Sequence, residues 1–342
     1  MNTTGVETME LHNNQIQNHI IFFSGGTASF AVAAWVKKKH PNDNILLYFT
    51  DTLWESEDLY RFNNEVSDKL KLPLLTHSSG LNPVMLQYEK KLIFNNMIGD
   101  CSKILKMKVA SDFLKKNLKP QIETWRNKEY LINEDFVKNA TLYFGIGFDE
   151  MHREGPITKK WAPFKVDFPL ITHNIWKDKL LQEYDIKQPI LYDYGFSHNN
   201  CNARCVKAGQ GHYKLLKERM PDVFKKIMEQ EHHLKICVSA YRYIINNKVP
   251  EQDRIPEDVQ VIMLQELDDA YRDYFYDRAP KPKTYVHPAG SAVSEYMKIQ
   301  QYSFMKKNGA PYPIRDLHYD VENNMQMDLF DIGGCGCFLE VN

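Results

Sequence analysis

The hydrophobic and polar positions of this chain form short apolar runs separated by longer stretches of helical spacing. The first run, His19-Ile20-Ile21-Phe22-Phe23, stops abruptly at Ser24-Gly25-Gly26. From residue 29 to 39 the apolar Phe30, Ala33, Ala34 and Trp35 recur at helical spacing. Lys37, Lys38 and Lys39 complement the negative end of that helix dipole. The pattern reads as strand, glycine turn, helix. A second strand is predicted over 45–49, a helix over about 55–70, and a short strand at Leu74-Leu75-Thr76. Helices follow over 84–92 and 102–118, and another strand over 141–146. Short apolar strands alternating with helices predict parallel βαβ units, hence an α/β fold with an open, doubly wound, mostly parallel sheet. Such sheets bind ligands beyond the C-terminal ends of their strands.

From about 213 to 276 the spacing is helical and rich in Lys, Glu, Leu and Tyr, until Pro280 and Pro282 interrupt it. The chain ends in a cysteine-bearing tail, Gly333-Gly334-Cys335-Gly336-Cys337. Hydrophobic residues at 43% and charged residues at 25% of 342 allow a core of useful size. The balance of 43 basic against 44 acidic residues neither requires nor excludes a nucleic-acid partner. The polar start lacks the apolar segment of a secretory signal, and no apolar run reaches the ~20 residues that span a bilayer. Six cysteines without an export signal fit metal chemistry better than a disulfide framework, and the expected compartment is the cytosol, with no membrane association.

Ser24-Gly25-Gly26-Thr27-Ala28-Ser29 lies where a phosphate cradle belongs. Glycines let the backbone bring N–H groups close to phosphate oxygens, the helix N-terminus adds partial positive charge, and the hydroxyls of Ser24, Thr27 and Ser29 donate further. No Gly-Lys-Ser/Thr follows, so this is not a Walker A loop. A plain strand-to-helix turn with serine caps is the bland alternative. The hexapeptide resembles the SGGxDS loop of the PP-loop ATP pyrophosphatases and PAPS reductases, with Ala28 in the place of the usual Asp.

Further stretches resemble that superfamily in order. Thr50-Asp51-Thr52 follows the second strand; Asp51 either accepts a hydrogen bond from the nucleoside or caps the next helix. Cys101-Ser102-Lys103-Ile104-Leu105-Lys106 is similar to the reductases' CCxxxK segment, with Ser102 for the second cysteine. By that resemblance Lys106 reaches an anionic group, and Cys101 is a cluster ligand or a nucleophile. Gly145 to Arg153 is similar to a GxRxxExxxR signature, placing Glu150 and Arg153 at the nucleotide. Without the resemblance those two read as a surface ion pair. Phe168-Pro169-Leu170, Trp176 and the run from Gln188 to Gly195 then lead to Cys201, as in the family.

Cys201 and Cys205 stand near each other, as do Cys335 and Cys337 at the tail. These four satisfy either zinc or a [4Fe–4S] cluster if the tail folds back. By the resemblance, Cys101, Cys201 and Cys205 instead converge on one cluster, with a tail cysteine or an open iron completing it. Cys237, among apolar neighbours, reads as a core thiol.

The resemblance implies a PP-loop, Rossmann-like domain over 19–212, flanked by an N-terminal extension (1–18), a helical region (213–278) and a C-terminal segment (279–342). It implies an enzyme that binds ATP or a PAPS-like adenine nucleotide with Mg²⁺. Such an enzyme cleaves the α–β phosphate bond and adenylates an acceptor, a nucleic acid or a sulfur carrier, ahead of sulfur transfer. A PAPS or APS reductase is the second expectation, although the tail lacks a Glu-Cys-Gly-Leu-His-like ending. A nucleotide-binding sensor or scaffold without turnover is the third. A homodimer is the expected assembly.

Overall fold

The computed structural model describes residues 16–95, 99–246, 248, 250–280, 282, 285–288 and 303–322. Cys335 and Cys337 lie outside the described residues.

Strand β1 (Asn18–Phe22) leads through Ser24-Gly25-Gly26 into α1 (Thr27–Lys39), and β2 (Asn44–Asp51) into α2 (Glu57–Leu70). Then come β3 (Leu74–Ser78) and α3 (Pro83–Lys90). A π-helical segment, Ser102–Lys108, runs directly into α4 (Val109–Lys116). The sheet is completed by β4 (Ile122–Arg126), β5 (Thr141–Phe144) and β6 (Lys165–Asp167), with α5 (Glu154–Trp161) between the last two.

The six strands stand in the order β4-β3-β2-β1-β5-β6. All pair in parallel except β4, which runs antiparallel to β3. Because β2 and β5 flank β1 on opposite sides, the connections leave β1 and β5 in different directions and open a crevice at their C-terminal ends.

Alternate strand residues feed opposite faces, as the two-residue period of a strand requires. Ile21, Ile45, Leu47 and Leu74 pack on α1, α2 and α7 (Lys177–Glu183). Ile20, Leu46, Leu75 and Leu142 pack on α4 and α5. Helix α1 is wrapped nearly all round: Phe30, Ala31, Val32, Ala33, Ala34 and Val36 are each 0% exposed. Phe30 alone contributes about 2–3 kcal/mol by burial.

Helices α2 and α3 start on side-chain caps. Ser56 accepts from the Leu59 N–H at 3.1 Å, and Asn82 from the N–H groups of Val84 and Met85 at 2.9 Å each. The start of α1, by contrast, has no side-chain cap.

The short α6 (Pro169–Thr172) and α8 (Ile190–Asp193) bracket α7. Beyond them α9 (Gln210–Arg219), α10 (Pro221–Ile244) and α11 (Glu257–Phe275) build a second core together with α3 and the loop around Cys201. A hairpin of β7 (Met305–Lys307) and β8 (Ala310–Tyr312), followed by α12 (Ile314–Glu322), closes it. The fully buried Glu231 of α10 holds that closure by accepting the N–H groups of Phe304 and Ile314, at 2.8 and 2.7 Å. No helix among the described residues is long and apolar enough to cross a membrane.

Candidate functional site

A cavity of about 370 Å³ opens at the C-terminal ends of β1 and β5. Its floor is the turn after β1. Gly25 takes a φ of +79°, and a Cβ there would meet Leu59 Cγ at 2.7 Å, so only glycine makes this turn. Gly145, directly after β5, brings its backbone against the start of α1, where a Cβ would lie 2.9 Å from the Ser29 nitrogen. Ser29 is buried behind the turn and donates its hydroxyl to the Gly26 carbonyl at 2.9 Å. Ser24, Gly26, Thr27 and Ala28 face the cavity.

With no side-chain cap, the first turn of α1 directs its N–H groups at the space a ligand would fill. The Tyr192 hydroxyl takes hydrogen bonds from the backbone and side chain of Thr27. Burial raises the ionisation of that phenol, while the two Thr27 bonds oppose the rise.

The walls carry a surplus of positive charge. Among the described residues the lining holds Lys103, Lys106, Lys160, Lys177, Lys207 and Arg153 against the carboxylates of Asp149 and Glu150. Burial, then the nearby Lys103 and Lys115, pushes the Lys160 ammonium below its ordinary range. A site that discourages its own cations from ionising is one that an anion relaxes. Lys103 and Lys106 arrive on the π-helical segment together with Ser102 and Met107; such segments recur at functional sites. Arg153, buried, pairs with Glu150 one helical turn away. One part of the wall is apolar, with Phe22, Tyr48 and Phe144 in ring contact and Ile146, Ile157 and Met107 beside them.

Residues 18–126 match the family model of the phosphoadenosine phosphosulfate reductase domain. Residues 18–126 thus form a PAPS reductase-like domain of the PP-loop superfamily. The match spans β1 to β4 and includes the phosphate loop, Asp51, Cys101 and Lys106 of the PAPS reductase-like domain, whereas Glu150, Arg153, Cys201 and Cys205 lie beyond it. No curated protein and no solved structure matches the chain.

Of the residues singled out in the sequence, Ser24, Gly26, Thr27, Lys106, Glu150 and Arg153 line one cavity. Gly25 and Ser29 shape the loop from behind. Asp51 is placed elsewhere: it accepts the Leu53 N–H at 2.8 Å and the Tyr60 hydroxyl at 3.0 Å, and burial raises its pKa. It closes its own turn, while the neighbouring Thr50 reaches the cavity.

Cys101, Cys201 and Cys205 are buried in one apolar cluster with Cys237. Cys201, Asn202 and Ala203 all have positive φ, between 48° and 57°, a run that costs about 1–2 kcal/mol per residue. Glu55, whose side chain is wholly buried, holds this turn: it accepts the Cys201 N–H and, at 2.9 Å, the Thr52 hydroxyl, with Lys106 at 3.7 Å. The Arg204 guanidinium lies 4.7 Å over Trp54; burial lowers its pKa to about 10, while the adjacent Cys201 opposes that shift. Just before the turn, Ser197, His198, Asn199 and Asn200 line the cavity. The cysteine loop and the phosphate loop therefore share a wall.

Sequence reasoning missed Lys103, Lys160 and Lys177 as site residues, because a lysine facing a cavity and one facing solvent read alike. Lys103 carried one usable signal, its position one turn before Lys106 on the same helix.

Proposed function

We propose that the chain is an enzyme that binds ATP or a related adenylyl nucleotide in this cavity, cleaves the α–β phosphate bond and adenylates an acceptor, a nucleic acid or a sulfur carrier, ahead of sulfur transfer. The observation that carries the reading is the pairing of an uncapped helix start and six cations with an apolar wall of Phe22, Tyr48 and Phe144. A flat base suits the apolar wall; phosphates suit the cations. Loop N–H groups hold the departing pyrophosphate, and Lys106 and Arg153 offset the charge that develops during in-line displacement.

Two groups are implied by the family. For Mg²⁺ the loop offers no carboxylate, since Ala28 stands there, and Glu150 is engaged by Arg153. Asp149 and the nucleotide's own phosphates would hold the ion, which would supply further charge neutralisation. For the cysteines, a single tetrahedral zinc with 2.3 Å bonds needs sulfurs about 3.8 Å apart. The thiols of Cys101, Cys201 and Cys205 do not all lie within 4.8 Å of one another. As they stand the three thiols do not enclose a mononuclear ion, and the family resemblance supports a multi-iron cluster on them instead. Such a cluster, when bound, supplies an iron at which sulfur can be carried. Glu55 and Arg204 hold and balance its loop.

A sulfonucleotide reductase is the second reading, favoured by the match of residues 18–126 to that reductase domain. Full-length protein purified without oxygen and incubated with ATP, then with PAPS, separates the readings. AMP and pyrophosphate support adenylation; sulfite supports reduction. Tight nucleotide binding with neither product leaves a sensor or scaffold, and no nucleotide binding overturns the whole reading. Visible absorption and iron content, both lost in Cys201→Ser, test the cluster independently of turnover; a colourless, iron-free wild type removes it.

A further inference from the structure

At the other end of the sheet, away from the nucleotide cavity, three metal-ligating side chains converge. His19 is the second residue of β1, His40 follows the last residue of α1, and Asp43 immediately precedes β2. Asp43 Oδ2 lies 3.1 Å from His19 Nε2 and 3.1 Å from His40 Nδ1. Among the described residues this is the one set of three His, Cys, Asp or Glu side chains whose ligand atoms all fall within 4.8 Å of one another.

We propose that His19, His40 and Asp43 form a zinc site. The geometry carries it. In a tetrahedral zinc centre with bonds of about 2.0–2.1 Å, neighbouring ligand atoms stand about 3.3 Å apart. The two edges at Asp43 Oδ2 are 3.1 Å each and the third, between the imidazole nitrogens, is within 4.8 Å, so the ion enters by side-chain adjustment alone. The donor set, two imidazoles and a carboxylate, is one that zinc favours over the alkaline-earth ions, which prefer all-oxygen cages.

The outer contacts are those a metal centre uses to orient its ligands. His19 Nδ1 lies 3.0 Å from the Tyr143 hydroxyl of β5, and Asp43 Oδ1 accepts the Gln17 N–H at 3.1 Å. When zinc takes His19 Nε2, the ring proton sits on Nδ1 and is donated to Tyr143. When it takes His40 Nδ1, that proton sits on Nε2. Both imidazoles bind as neutral rings by a change of tautomer alone. His19 is buried while His40 and Asp43 are part-exposed, so the ion reaches the site from solvent, and a water completes the tetrahedron. The ion's effect is to join the end of α1 and the start of β2 to the first strand, on the far side of the fold from the chemistry.

The test is the zinc content of the full-length wild type and of His40→Ala and Asp43→Ala, each equilibrated with zinc, desalted and measured by elemental analysis. Both variants are expected to hold one zinc fewer per chain than wild type, whatever the thiols retain, and to bind that ion about 100-fold more weakly in chelator competition. X-ray absorption of the wild type should contain a nitrogen and oxygen shell near 2.0 Å, distinct from sulfur near 2.3 Å. His40 and Asp43 are part-exposed, and circular dichroism of the metal-free variants checks that the fold is kept. If a variant does unfold, the wild-type absorption shell decides alone. Equal zinc content in all three proteins, or a shell of sulfur only, overturns the proposal.

Discussion

The side-chain amide of Asn199 donates to the backbone carbonyl of Gly25 at 2.8 Å, joining the loop that carries Cys201 to the turn that cradles the ligand. Both partners are fixed. Asn199 is buried, and Gly25 occupies a conformation open only to glycine. The phosphate loop is thus held from the far side by a segment 174 residues later in the chain.

Asn199→Ala removes that hydrogen bond and leaves the Gly25 carbonyl without its donor. A buried amide–carbonyl bond is worth about 1 kcal/mol net. Nucleotide affinity should fall about fivefold to tenfold by isothermal titration calorimetry, together with a loss of about 1–3 kcal/mol in stability by urea denaturation. An unchanged affinity would show that the loop keeps its shape without Asn199.

Gly25→Ala is expected to be harsher. The new methyl meets Leu59 and Asn63 at under 3 Å, and the positive φ penalises any L-residue. Urea denaturation should report a loss of about 1–3 kcal/mol, and nucleotide binding should disappear at concentrations that saturate the wild type. Wild-type affinity in this variant would contradict the cradle.

The crowded cations predict proton uptake. Burial and neighbouring lysines hold the Lys160 pKa down, and a bound anion restores it. Nucleotide binding should therefore take up protons and weaken as pH rises through the range in which Lys160 loses its charge. Calorimetry in buffers of different ionisation enthalpy measures the uptake, and Lys160→Met should abolish most of it.

Glu231 gives stability a pH dependence of the less usual sign. Burial pushes its carboxyl from 4.5 up to about 7, although the N–H groups of Phe304 and Ile314 favour the ionised form. With the folded pKa above the unfolded one, the native state holds the extra proton between those two values. Its stabilising contribution is present in full below 4.5 and is lost as pH rises to about 7. The change amounts to at most about 3 kcal/mol. Denaturation midpoints of wild type and Glu231→Gln across this window should differ in slope, the variant being flatter.

Much of the nucleotide half was legible in the sequence because its strands are buried on both faces and read as apolar runs. Ile20-Ile21-Phe22 and Ile45 to Phe49 announce themselves in this way. Strand β4 did not: Ile122, Glu123, Thr124 and Arg126 are exposed, and an edge strand of this kind leaves no apolar signature. The three-residue β6 was too short to register. The glycine turn was readable because its chemistry is local. The surplus of lysines was not, since Lys103, Lys160 and Lys177 meet only after folding. Asp51 shows the opposite failure, a polar residue at the right strand end whose side chain turns to Leu53 and Tyr60. His19, His40 and Asp43 carried no motif at all; it is the start of two adjacent strands that brings them together.

The π-helical segment from Ser102 to Lys108 has a consequence for inheritance. A π turn holds one residue more than the α-helical turn it replaces. Loss of a single codon there would restore an unbroken α-helix and rotate what precedes it by about 100°, swinging Cys101 out of register with Lys106. The strands of the sheet lie outside the rotated segment. A lineage can thus retire this site, or recover it, by one small deletion or insertion, and divergence among descendants should concentrate in this helix long before it reaches the strands.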